Sequence, residues 1–398
     1  MRVIWSLPVR GESIDSSRGD VVRARSLIQA LRVDGHDVVV VSDAEAPGGR
    51  ARVAAYRGMV RPLLPGALAR IARDAGRIAH ARLHARRLIA AARAQPADLI
   101  IETQVHFAGS GAVAARATRL PLVLDDCSPA AEEARLGAGL PGLARRVFLA
   151  QAAAAARLSV PTLTLRERLA REGAPESKIA IVPNGVDCAP HDATDRHRAR
   201  HRLGVSDRVV IGFVGSFQPW HRAELLIDAV TRIAHLPVHV LLAGDGRGLA
   251  ATLDRARTGG LAGRITAAGA LDGAALADAL AACDIGALPA SNDYGQPMKL
   301  LDYAAARLPA VAPDIAPVRE VLLDGRTGLL FPADDAVALA ATLERLVRDS
   351  ALRQRLGAEA RTRVAEPATW ARSARALIDR IGRPEAGHAG GHDEGKAA

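Results

Sequence analysis

Cysteine, lysine and aromatic residues are all scarce in this 398-residue chain. The three cysteines, Cys127, Cys188 and Cys283, are widely spaced and odd in number, which excludes a disulfide framework and a structural zinc pattern. A reducing compartment, the cytoplasm, is the expectation. Phe, Trp and Tyr make up 3% of the residues and no recognition-helix or base-stacking motif accompanies them. Nucleic acid is therefore not expected as a partner, despite a formal net charge of +10. Lysine occurs only at 178, 299 and 396 among 53 basic residues, so the charge reflects an arginine bias in an Ala-rich composition rather than a partner. No uncharged run reaches the roughly 18–20 residues of a membrane span. The alanine run at 151–156 is short and bounded by Arg146 and Arg157. Met1-Arg-Val-Ile-Trp-Ser reads as a buried strand rather than the opening of a secretory leader.

What the chain has is alternation. An apolar strand at 2–7 leads into a Gly- and Ser-rich loop ending at Gly19, a helix over 20–33 and a second strand at 38–41. This strand–Gly loop–helix–strand order is that of a βαβ unit in a parallel sheet. Buried strands follow at 98–101, 122–124, 159–163 and 179–182. Pro183-Asn-Gly-Val-Asp187 and the polar stretch 190–202 mark a boundary. The alternation then restarts: strands at 209–214, 238–243, 265–268, 285–288 and 310–312, helices at 224–234, 297–306 and 337–348. The repetition predicts an α/β protein of two doubly wound, Rossmann-like domains facing a cleft. The divisions expected are 1–187, 188–368, a final helix within 369–382, and a disordered Gly-, His- and Pro-rich tail, 383–398. His388 and His392 in that tail read as solvated residues.

Candidate chemistry concentrates in Asn292-Asp-Tyr-Gly-Gln-Pro-Met-Lys-Leu-Leu-Asp-Tyr. A loop containing Gly295 enters a helix, with Pro297 suited to its first position. The N–H groups of Met298, Lys299 and Leu300 then form an anion site assisted by the helix dipole and the Lys299 charge. Asp302, one turn on, is placed to accept hydrogen bonds from ribose hydroxyls. The alternative for Lys299 and Asp302 is a simple surface ion pair. Two more Gly loops, at Gly215-Ser216 and Gly244-Asp-Gly246, close buried strands, where open α/β sheets bind ligands. Together the three describe a pocket for a nucleoside diphosphate.

The second half resembles the retaining glycosyltransferases of family 4, which have the GT-B fold. Asp302 matches the second carboxylate of the family's paired acidic motif, and Arg307-Leu-Pro-Ala-Val311 its following turn. The first carboxylate falls at Tyr294, with Asp293 adjacent as a substitute. Gln-Pro-Met-Lys-Leu-Leu-Asp-Tyr is similar to a branch carrying Pro-x-Lys-Leu-x-Glu-Tyr. Glu320 and the 183–187 turn match further family positions. Where members carry Arg and Lys as diphosphate cations, this chain has Ser216 and His221, leaving Lys299 and Arg222 to supply charge.

The resemblance implies an acceptor-side domain 1–187, a nucleotide-sugar domain 188–368 and a last helix crossing back to the first domain. It implies glycosyl transfer from a nucleoside-diphosphate sugar with retention, no cofactor and no metal. Gly19 is expected to approach the donor phosphates. His106 or Asp126, at strand ends that also carry Glu102, Asp125, Glu132 and Glu133, is expected to touch the acceptor or donor sugar; the alternatives are helix caps for Asp126 and Ser128 and a structural role for His106. A polyprenyl-linked glycan, a phospholipid and a small natural product are all open as acceptors. A nucleotide-sugar epimerase of the same fold and a non-catalytic nucleotide-sugar-binding partner subunit are the rival readings.

One stretch stands apart. Residues 57–93 hold nine arginines and a single acid, Asp74. Arg70, Arg73, Arg77, His80, His84 and Arg87 form a basic stripe at helical spacing, with Leu64, Leu68, Ile71 and Ile78 roughly opposite. Peripheral contact with the inner face of a membrane is one expectation and a solvated arginine face the other.

Overall fold

The computed structural model describes residues 1–9, 13–16, 18–43, 66–125, 129, 138–205, 207–271, 273–379 and 381. Asp126, Glu132, Glu133, residues 57–65 and the tail lie outside the described residues. Two parallel six-stranded sheets carry the fold. The first orders its strands β2-β1-β3-β4-β5-β6, with β1 Arg2–Ser6, β2 Asp37–Val41, β3 Leu99–Thr103, β4 Leu122–Asp125, β5 Arg157–Val160 and β6 Ile179–Ile181. The second orders them β12-β11-β10-β7-β8-β9, with β7 Val209–Val214, β8 Val238–Ala243, β9 Ile265–Gly269, β10 Ile285–Ala287, β11 Ala310–Pro313 and β12 Gly328–Phe331. Strands such as β3, β4 and β8 are buried along their whole length. That explains why they read as continuous apolar runs rather than alternating ones.

Most expected elements appear within one or two residues of their predicted ends. Three differ. Residues 159–163 do not form one strand: β5 ends at Val160, and Thr162 caps the helix Leu163–Arg171 by accepting from the Leu165 N–H. The polar stretch after Cys188 forms two short helices, Ala189–Asp192 and Arg196–Leu203. Asp195 caps the second, and Arg196 and Arg200 both pair with Asp284 ahead of β10, at 2.6 and 2.9 Å. A polar segment thus gains order from ion pairs that its own sequence does not show. Pro297 is not in the first turn of its helix but caps it, with ψ near 102°, and the helix runs Met298–Ala305.

The basic stripe is turned differently from the sequence reading. In the helix Gly66–Ala94, Asp74 and His84 are fully buried, and Arg87 reaches Asp43 beyond β2 at 2.7 Å. Leu68 and Ile71, expected on the packed face, are exposed. Part of the stripe is turned inward because partners await it there, Asp43 for His80 and Arg87, while the N–H groups of Gly139 and Leu140 hold Asp74; Arg70 and Arg73 stay exposed. No described helix is long and apolar enough to cross a membrane.

The final helix, Trp370–Ile378, packs against the helix Gly19–Val33 and buries Ala374 and Leu377 in the core of the first sheet. Its Arg375 pairs with Asp34 at 2.7 Å, and Arg157 donates to the Ala376 carbonyl. Ser373 donates to the Pro183 carbonyl at 2.7 Å.

Buried between the first sheet and its helices is one ion pair. Arg23, 1% exposed, grips Asp125 through Nε and Nη2 at 2.8–3.1 Å. Ser159 donates to the same carboxylate, while Nη1 donates to Asn184 Oδ1 and Nη2 to the Val182 carbonyl. Removing one partner of such a pair leaves an uncompensated charge in the interior. Asp125→Ala is therefore expected to lower unfolding free energy by about 3–5 kcal/mol in urea denaturation. A loss under about 1 kcal/mol would mean that the pair is dispensable.

Candidate functional site

The C-terminal ends of the two sheets face one cavity of about 730 Å³, lined from both halves of the chain. From the second half come Gly215, Ser216, His221, Gly244, Gly295, Met298, Lys299 and Asp302, and from the first Gly19, Arg23, Gln104 and Asn184. Nine of the residues singled out from the sequence thus meet at one place.

The second wall is built backbone against backbone. Gly244 and Gly246 have φ of +139° and +136°. A Cβ at Gly244 would overlap the Gly215 carbonyl oxygen, and one at Gly246 would overlap that of Ser216. Only glycine satisfies both the conformation and the spacing. Tyr303 fixes the loop from behind: its hydroxyl accepts from the Val214 N–H at 3.1 Å and donates to the Ala287 carbonyl at 3.0 Å. Gly246 lies behind this wall, outside the cavity lining.

The helix Met298–Ala305 points its start into the cavity. The Leu300 N–H is spent on the Pro297 carbonyl at 3.1 Å, and Leu300 itself is buried in the core, so it does not line the site. Met298 and Lys299 supply the helix-start donors that remain. Lys299 Nζ lies 3.1 Å from His221 Nε2 and 5.8 Å from the centre of the Phe213 ring. Burial holds the lysine down at about 8, against the opposing pull of Asp302. Burial and the Lys299 charge hold His221 at about 3, so its imidazole is neutral and accepts from the ammonium. His221 thus orients the lysine and does not act as a second cation. Burial pushes Asp302 up to about 7, with Lys299 pulling the other way. Among the described residues no ion pair joins Lys299 to Asp302, so the surface-pair alternative does not describe them.

Arg222 is turned away from the cavity. It caps the helix Ala223–Arg232 in the left-handed region and pairs with Asp334 and, at 3.6 Å, Glu224. Asp293 is exposed and pairs with Arg168 at 3.0 Å, outside the cavity, so it does not stand in for the carboxylate that Tyr294 replaces. Tyr294 instead packs into the core of the first sheet. His106 rests edge-on against Phe107 at 4.6 Å and does not line the cavity. Glu102 is fully buried rather than facing the cleft. Its carboxylate takes hydrogen bonds from Ser6, Ser110 and the Gly111 N–H at the start of the helix Ser110–Thr118. Glu320 accepts from the N–H groups of Leu163 and Thr164 at 2.8 and 3.0 Å, joining the two halves rather than reaching the cavity.

Sequence reasoning missed Arg23, Gln104 and Asn184. The Asn184 N–H donates to Gln296 Oε1 at 2.6 Å, and Thr162 donates to the Tyr294 carbonyl at 2.6 Å. The loop before Met298 is thus held by the opposite half of the molecule. Gln104 Oε1 is buried at the cavity wall without a hydrogen-bond partner. The legible signal for Arg23 was its position among Val21, Ala24, Leu27, Ile28 and Leu31, the inward face of its helix.

Known structures share this two-sheet fold. HepE from Anabaena, solved in complex with UDP and glucose, superposes with a TM-score of 0.75 at 16% identity, covering 95% of this chain and 98% of that one. Sucrose-phosphate synthase from Thermosynechococcus elongatus gives 0.72 at 18% identity over 94% and 96%. In sequence, D-inositol 3-phosphate glycosyltransferase of Stackebrandtia nassauensis is 31% identical over 218 residues, 52% of this chain and 48% of the relative. Phosphatidyl-myo-inositol mannosyltransferase of Mycobacterium leprae is 32% identical over 208 residues, 51% and 54%. The chain spans about half the length of these curated relatives. Residues 18–190 match the family described as Glycosyltransferase Family 4, and residues 208–349 that described as Glycosyl transferases group 1. With the two-sheet GT-B fold and both matches in chain order, this protein belongs to family 4 of the glycosyltransferases.

Proposed function

We propose that the protein transfers a glycosyl group, with retention of anomeric configuration, from a nucleoside-diphosphate sugar to an acceptor hydroxyl. The observation that carries this reading is the convergence of the Met298 helix start, Lys299 and the Gly215 loop on one cavity wall. Backbone donors, a dipole and an ammonium aimed at one spot favour the charge that develops on a departing diphosphate. Asp302 holds the nucleoside ribose, and the departing phosphate itself takes the acceptor proton. Gly19, whose absent Cβ faces open space, lets the first domain approach the phosphates. The UDP in the HepE structure makes uracil the first base to test. The inositol-type names of the relatives make a cyclitol or its phosphate the first acceptor.

Incubation with a matched donor and acceptor should yield the glycoside, and the anomeric coupling constant in its proton spectrum reads the stereochemistry. An inverted product would overturn retention, and an epimerised donor without glycoside would overturn transfer. Lys299→Ala should depress turnover by about a hundredfold or more, as loss of a transition-state donor does. Near-normal rates would remove Lys299 from the mechanism.

Donor affinity should follow a bell in pH. Asp302 is an acid raised to about 7, so it becomes the accepting carboxylate only as pH rises through that value. Lys299 is a base lowered to about 8, so its charge is present below that value and lost above it. Calorimetric titration with the nucleoside diphosphate should give a maximum between the two. Asp302→Asn should abolish the acidic limb and Lys299→Met the basic one. A profile that is flat in the native protein would contradict both assignments.

A further inference from the structure

A second cluster lies at the far edge of the first sheet, outside the cavity. We propose that Asp43, His80 and His84 bind one divalent transition-metal ion of the zinc class. One nitrogen or oxygen from each of the three lies within 4.8 Å of those of the other two. His80 and His84 are one helical turn apart on the helix Gly66–Ala94, with ring centres 5.9 Å apart. Asp43 meets them from the end of β2, its carboxylate 2.8 Å from His80 Nε2. Ligands sharing a zinc ion at about 2.0–2.2 Å sit about 3–3.5 Å from one another, so small side-chain adjustments close the site. Two imidazoles and a carboxylate suit zinc and its neighbours rather than magnesium or calcium.

The second observation is the state of His84. Ser6 donates its hydroxyl hydrogen to Glu102 Oε2 at 2.9 Å, so it has none left for His84 Nε2, 3.1 Å away. His84 Nε2 must therefore be the donor to Ser6, which leaves Nδ1 with its lone pair. That Nδ1 is buried and has no hydrogen-bond partner, in a side chain with no solvent exposure. The Glu102–Ser6–His84 chain fixes the tautomer and ring orientation, as outer partners of metal-bound histidines do. Arg87, 2.7 Å from Asp43 Oδ1, leaves the other carboxylate oxygen for the ion. At His80 the ion replaces the proton now shared with Asp43. Bound there, it fastens the long helix to the C-terminal ends of β1 and β2.

The test uses the full chain, stripped with chelator and titrated with Co2+ as a visible probe and then Zn2+. One equivalent of Co2+ should bind and give d–d absorption that Zn2+ abolishes. His80→Gln, on a partly exposed side chain, should weaken binding by more than about a hundredfold while circular dichroism stays native. A His388→Ala/His392→Ala double variant should bind as the native chain does. Absence of stoichiometric binding, or binding that survives His80→Gln and vanishes in the tail variant, would overturn the proposal. Thermal melting adds a readout free of activity: Zn2+ should raise the midpoint of the native chain and leave that of His80→Gln unchanged.

Discussion

The Arg23–Asp125 pair is the contact on which the rest of the site depends. Burying a full guanidinium and a carboxylate is costly unless they are paired and hydrogen-bonded, and here the bonds reach several elements of the first half. Asp125 ends β4, Ser159 lies on β5, Val182 and Asn184 follow β6, and Arg23 projects from the first helix. The same Asn184 then reaches Gln296, one residue before the proline that caps the Lys299 helix. A charge pair inside one sheet thus sets the position of a backbone loop belonging to the other. Coupling of this kind travels through contiguous hydrogen bonds and needs no moving part.

The electrostatics of the cavity follow from scarcity. Where the resemblance leads one to expect two cations, this chain has Ser216 and a His221 that burial keeps neutral. Lys299 carries the charge on this wall, and its low affinity for the proton shows how strongly its surroundings disfavour that charge before an anion arrives. Such a lysine gains more from a bound diphosphate than an exposed one would, since the partner returns what desolvation removed. His221 and Phe213 keep the ammonium in place by a hydrogen bond and a ring face.

Much of this was legible in the sequence. Buried parallel strands announce themselves as short apolar runs, and the loop after β8 is visible because only glycine tolerates the backbone at Gly244 and Gly246. The helix start beside Lys299 is visible from the proline that precedes it. What stayed hidden were roles set by distant partners. Arg222 looks like a phosphate ligand until Asp334 is found beside it, and Asp293 like a catalytic acid until Arg168 claims it. Glu102 reads as a cleft residue because it ends a strand, yet it serves a helix start nine residues on. The stripe on the long helix was visible as a stripe, but its facing depended on Asp43, which the sequence places 37 residues before His80. Arg23 was one arginine among fifty.

The two halves are joined by the chain twice, and the two crossings touch. Val186 donates to the Ala368 carbonyl at 2.8 Å, and Gly185 lies so close to Trp370 that a Cβ would overlap its backbone nitrogen. Two polypeptide segments fastened side by side form a double seam beside the cavity, with Gly185 in its lining. The bonds from Thr162 to Tyr294 and from Thr164 to Glu320 stitch the halves again farther along. Sliding one half past the other would break both sets of stitches at once, so the two walls of the cavity keep their registry.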